Sequence, residues 1–256
     1  MPIDNFEPPG DSSSSTRGPE APARKADQRI VALLEVLLCS DFLTQLALGS
    51  ALRVFGLAPF DAGGRLQVSY VVSLSLADTV VLVGLVVLFL RAHGERPRDV
   101  LFGRRPVAGD LALGVLLTLV ALGLAVAVLA AVQRWAPGLH TVERNPLQEL
   151  LASPRNAWLF ALVSLAAGGV REEVQRAFLL HRFDQWLGGA RVGLVVTSLA
   201  FGAGHLLQGA DAAIATGLLG AFWGLVYLRR RSAIAPMVSH AGFDLLQIAV
   251  SVSIGP

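Results

Sequence analysis

The sequence predicts an all-α, polytopic helical membrane protein with about seven transmembrane helices, the last four forming one bundle around polar groups. Three observations carry this. The 256 residues are 54% hydrophobic and only 16% charged, against roughly 25% charged in a soluble domain. The apolar residues fall into seven stretches, most of them near the ~20 residues that a bilayer span requires. The basic residues sit in short clusters between those stretches, as membrane-flanking charges do.

Residues 1–28 are rich in Pro, Ser and Gly and poor in apolar mass, so a disordered tail is expected there. The tail lacks the short apolar core and small-residue cleavage site of a signal peptide. The spans are read at about 30–56, 68–90, 108–132, 157–183, 192–208, 212–228 and 233–252. The first carries Glu35, Asp41 and Arg53, and an interfacial helix is its alternative reading. Residues 29–133 thus form a front group of three helices. A loop at 134–156, with Pro137, Gly138, Pro146 and Pro154, separates it from a back group at 157–252. The one cysteine, Cys39, excludes a disulfide framework and a cysteine-based zinc site. A net charge of only +2, with no dense basic patch, excludes a nucleic-acid partner.

With the N-terminus on the cytoplasmic side, fourteen Lys and Arg fall inside and five outside, with Arg171 and Arg176 within the membrane. That asymmetry sets the orientation. Abundant Ala, Leu, Gly and Arg with few Lys points to a GC-rich bacterium, and hence to its inner membrane.

The back group holds groups that a bilayer does not tolerate without a use. Arg171, Glu172, Glu173 and Arg176 lie within about one and a half turns of the fourth span. Each central charge costs about 2.5–3.5 kcal/mol to insert, so these groups must pair, neutralise or line a wet cavity. Glu172 and Arg176 are i,i+4, and Glu173 and Arg176 are i,i+3. One arginine cannot satisfy both carboxylates, which leaves one glutamate free to act as a general base. His205 is the one ionisable residue of the fifth span, with Phe201 a turn before it. In the seventh span His240 and Asp244 are i,i+4, and a carboxylate at that spacing can orient an imidazole. An acid/base, two imidazoles, a carboxylate and an arginine could together activate water and stabilise an oxyanion. Read singly, each is also open to a structural role: a salt bridge, a packing histidine, a helix hydrogen bond.

Three short motifs in order resemble those of the CPBP family, the CAAX proteases and bacteriocin-processing enzymes also called Abi proteins. REEVQR (Arg171 to Arg176) is close to EExxxR, FGAGH (Phe201 to His205) matches FxxxH, and HAGFD (His240 to Asp244) matches HxxxN/D. The resemblance covers about residues 155–252 and implies an intramembrane endopeptidase with a catalytic four-helix core. It implies Glu172 or Glu173 as the base, His205 as its partner, and His240 with Asp244 on the oxyanion side. Arg176 and Phe201 are supporting residues.

Two departures stand out. Arg176 follows Glu172 by four residues rather than five, and a one-residue slip turns a helix by about 100°. Glu172 survives either anchoring of the motif and is favoured over Glu173. Asp244 replaces the commoner Asn, and an ionised carboxylate cannot donate to an oxyanion. No cofactor is expected; the alternative is zinc held by Glu172, His205, His240 and Asp244. The expected partners are a peptide or membrane-protein substrate and the lipid bilayer. The rival readings are a proton-coupled transporter and a non-catalytic scaffold or immunity protein of the same family.

Overall fold

The computed structural model describes residues 22–142, 151 and 153–254. Most of the expected tail (1–21), and 143–150 and 152 of the expected loop, lie outside the described residues. The helices are α1 (Pro22–Leu38), α2 (Phe42–Val54), α3 (Val68–Ala92), α4 (Pro97–Leu101), α5 (Val107–Trp135), α6 (Pro154–Ser164), α7 (Glu173–Trp186), α8 (Ala190–Ala203), α9 (Ala210–Arg230) and α10 (Ile234–Ile254). A π-helical segment, Leu165–Glu172, joins α6 to α7. Among the described residues the extended structure is one isolated bridge, Phe60 with Leu66. The all-α expectation is met. The first helix begins at Pro22, so residues 22–28 of the expected tail are helical.

α3, α5 and α9 are long and apolar enough to cross a membrane, and α1 with α2 makes a fourth candidate, bent by 43°. Outward side chains such as Val80, Val115, Leu119, Val126 and Leu199 are largely exposed. Apolar surface on that scale needs a lipid or protein partner, and the protein is an integral membrane protein. The other three expected spans are short or polar. α8 has 14 residues, α10 carries His240 and Asp244, and α6 reaches α7 through a segment bearing charges. Length and composition alone therefore do not mark all seven.

The bend between α1 and α2 has an identifiable cause. Asp41 precedes α2 at φ 74° and ψ −34°, a positive-φ conformation uncommon in residues other than glycine. The break frees backbone groups that a bilayer cannot hydrate. Gln175 of α7 donates to the Cys39 carbonyl at 2.8 Å and satisfies one of them.

The back group packs through small residues, as membrane helices do. A Cβ on Gly202 of α8 would meet the Ala213 carbonyl of α9 at 2.7 Å and Gly217 at 3.1 Å. α10 lies along α5, where a Cβ on Gly114 would stand 2.9 Å from the Ala235 carbonyl. α10 also packs on the π segment. A Cβ on Gly169 would meet Ala241 at 2.9 Å, and one on neighbouring Gly168 would collide with Asp244. These two glycines let the polar face of α10 approach the fourth span.

Candidate active site

The π segment decides where the charged residues point. It ends at Glu172 and α7 starts at Glu173. Single π turns within α-helices occur often at functional sites. Here three consecutive side chains leave in three directions. Arg171 reaches α3, donating to Asp78 Oδ2 at 2.7 Å, and its other terminal nitrogen lies 3.2 Å from Asp41 Oδ2. Glu172 faces a cavity and accepts from Arg171 at 3.0 Å. Glu173 is buried against α10, where it meets His240 Nδ1 at 2.8 Å and accepts from Arg176.

Of the two pairings open to Arg176, the structure forms the one with Glu173; Glu172, expected to be left free, is held by Arg171. The guanidinium of Arg176 lies 4.6 Å from the centre of the Phe201 ring and 5.8 Å from that of Trp223. Two aromatic faces therefore cover the buried Glu173–Arg176 pair.

His205 lies beyond the end of α8, at the start of a 3₁₀ turn at Leu206–Gln208, rather than within a span reaching residue 208. Its Nδ1 is 2.8 Å from the Phe201 carbonyl. A carbonyl only accepts, so Nδ1 carries the proton and Nε2 keeps a lone pair. His205 and Phe201 both line the cavity, their rings edge to face at 4.9 Å. The family-motif spacing of Phe and His thus becomes one local hydrogen bond and one ring contact.

His240 is held from three sides. Glu173 binds Nδ1, Trp223 stacks on the ring at 3.9 Å between centres, and Phe201 meets it edge-on at 6.1 Å. Its Nε2 lies 3.8 Å from Glu172 Oε2 and 3.9 Å from Asp244 Oδ1. The anion on Nδ1 fixes the tautomer and leaves Nε2 directed at these groups. Asp244 therefore does not clamp the imidazole as its i,i+4 spacing implied; Glu173 does.

Glu172, His205, His240 and Asp244 line one cavity of about 410 Å³, together with polar Ser164 and Thr216. The structure brings these four together; Glu173 and Arg176 stand behind them. Trp223 is a site residue that the sequence alone leaves open between a membrane-interface and a packing role. It is buried with its indole N–H on Ser239 Oγ at 3.1 Å. Its place between Gly220 and Gly224, where neighbours come close, was the available signal. Asp41 and Asp78 are acids that the sequence leaves as structural groups, and Arg171 pairs with both.

The fit to zinc was tested on the donor set. Glu172, His205, His240 and Asp244 are chemically suited as ligands. Among the described residues, however, no three His, Cys, Asp or Glu converge at metal-binding geometry. These side chains as placed do not form a zinc site.

Fold and site together define a helical membrane protein with a polar, buried cavity inside its bundle. Within that class, residues 154–246 match the family described as type II CAAX prenyl endopeptidase Rce1-like, consistent with a CPBP intramembrane protease. The matched segment contains all five expected catalytic residues and supports a CAAX-protease-type enzyme. Asp41 and Asp78 lie outside it. No curated protein and no solved structure matches the chain.

Proposed function

We propose that the protein is an intramembrane endopeptidase in which Glu172 activates the attacking water. The observation that carries this is the meeting of Glu172, His205 and His240 Nε2 on one cavity. Water held between the Glu172 carboxylate and the lone pair of His205 Nε2 loses a proton to Glu172 as its oxygen attacks the peptide carbonyl carbon. The carbonyl π bond becomes an oxyanion, which His240 accepts as a hydrogen-bond donor through Nε2–H. Nδ1 already gives its proton to Glu173, so this donor is the imidazolium, whose charge Glu173 balances. The C–N bond then breaks, and Glu172 returns its proton to the leaving amine. Asp244 borders the oxyanion side, where its protonated form donates.

No cofactor takes part in this scheme. The substrate is a peptide or membrane-protein segment admitted from the bilayer, and in a bacterial inner membrane peptide maturation suits it better than a prenylated tail. The chain crosses seven times if α1–α2, α3, α5, α6–α7, α8, α9 and α10 each span, with the N-terminus cytoplasmic. The basic clusters support this orientation.

A quenched-peptide library, offered to detergent-solubilised protein with and without a zinc chelator, tests the reading. Cleavage is expected to fall by ~10²–10⁴ in Glu172→Gln, to be lost in His205→Ala, and to be unaffected by chelator. Retained turnover in Glu172→Gln would overturn it. Chelator loss restored by zinc would replace it with a metalloprotease. Equal signals from all variants, or none, would favour the transporter or scaffold.

A further inference from the structure

Arg171 precedes Glu172 on the π segment, and two of its three partners come from the front group of helices. Its guanidinium touches three carboxylates: Asp78 Oδ2 at 2.7 Å, Glu172 Oε1 at 3.0 Å and Asp41 Oδ2 at 3.2 Å. Asp78 is fully buried and Arg171 is nearly so. Asp41 stands at the strained corner between α1 and α2, where Gln45 also donates to its Oδ2 at 3.2 Å. The second oxygens of both aspartates, and Nε of Arg171, are buried without a hydrogen-bond partner. Three carboxylates share this one guanidinium, so none of them takes its whole charge.

We propose that Asp78, with Asp41, is a positioning residue that sets the basicity of Glu172 through Arg171. This rests on the reading of Glu172 as the base. The front helices thereby contribute to the chemistry, although they lie outside the segment that matches the family. The two acids occupy most of the charge of Arg171, so the guanidinium orients Glu172 without quenching it. The other groups facing Glu172 are His240 and Asp244 from α10 and His205 across the cavity, with the Glu173–Arg176 pair behind His240. Without the Asp78 charge, Arg171 would share its charge between Asp41 and Glu172 only, making Glu172 a weaker base.

The test compares wild type, Asp78→Asn, Asp78→Glu and Glu172→Gln in two readouts. One is the pH–rate profile of cleavage. The other is the pH dependence of Glu172 labelling by dicyclohexylcarbodiimide, which reacts with protonated carboxyls, followed by mass spectrometry. In Asp78→Asn the acidic limb and the labelling midpoint should both move down by about one pH unit. Cleavage at neutral pH should fall ~10-fold. Asp78→Glu should restore both. If Asp78→Asn does not fold, Asp41→Asn acts on the same guanidinium and should shift both in the same direction. Unmoved midpoints in a folded variant would overturn the proposal while Glu172→Gln stays inactive. An active Glu172→Gln would instead remove the base reading, and the labelling midpoint would still decide the Asp78 coupling.

Discussion

Arg171 and Arg182 are both buried, and both stand on the long element that runs from α6 to α7, yet their surroundings are built on opposite plans. Arg182 donates to Glu35 and Glu95 at 2.6 Å each and to Gln185 at 3.0 Å. His93 meets the other oxygen of Glu35 at 2.7 Å, and His181 and Gln185 meet that of Glu95 at 2.6 and 2.8 Å. Each of these carboxylate oxygens has a donor. Around Arg171, one oxygen on each aspartate has none, and Glu172 opens onto the cavity. The Arg182 network is closed on its carboxylates, although Nη2 of Arg182 is itself buried without a partner; such a network rigidifies, whereas an open one stores an imbalance that chemistry can use. The first ties α1 and the turn after α3 to α7, and the second ties α2 and α3 to the site.

The contrast breaks first, and most visibly, on stability. Arg182→Ala leaves Glu35 and Glu95 buried without their shared cation, a loss of about 3–5 kcal/mol. Thermal unfolding of the purified protein in detergent should fall by about 10 °C or more. Arg171→Ala should cost clearly less, because Glu172 opens onto the cavity and Asp41 is only part-buried, yet it should abolish most cleavage. Equal destabilisation by the two changes would show that both arginines are structural and dissolve the distinction.

A sharper form removes space rather than charge. A Cβ on Gly168 would collide with the Asp244 carboxylate and lie 3.6 Å from His240 Nε2. Gly168→Ala should therefore cut cleavage by ~10-fold or more while moving the unfolding temperature by only a few degrees. A normal rate in this variant would mean that α10 and the π segment need not approach this closely for the reaction.

The residue pattern made much of this legible. Hydropathy located the helices, and the excess charge of the fourth span marked the site before any contact was known. His240 was legible as a residue needing a carboxylate, but the sequence offered Asp244 on the same helix and hid Glu173 on another. The obstacle was helical phase. A π turn widens the helix over Leu165–Glu172, and no periodicity in LAAGGVRE announces it. Without it, 100° per residue misplaces which of Arg171, Glu172 and Glu173 faces α3, the cavity or α10. The break at Asp41 was equally silent, because a continuous apolar stretch reads as one span until an acid is seen to adopt a positive φ. Long-range partners such as Asp78 for Arg171 are set by packing, which a single sequence does not encode locally.

The smallest effect lies in the closed network and depends on pH. Glu95 stands in the turn between α3 and α4. Burial raises its pKa, but hydrogen bonds from His181, Arg182 and Gln185 outweigh that and hold it down at about 2, against an ordinary value of 4.5. A depressed carboxylate pKa favours the fold wherever the unfolded chain would also be ionised, so the contribution is complete above about pH 4.5. As the pH falls below that, the unfolded chain takes up a proton that the folded one refuses. The contribution then shrinks and is gone once the folded carboxyl titrates near pH 2. Glu95→Gln should accordingly melt about 3 °C below wild type at pH 5.5, and the gap should narrow steadily towards pH 3. A gap that stays constant over this range would assign the loss to packing at Glu95 rather than to its charge, and the network around Arg182 would then owe its stability to shape.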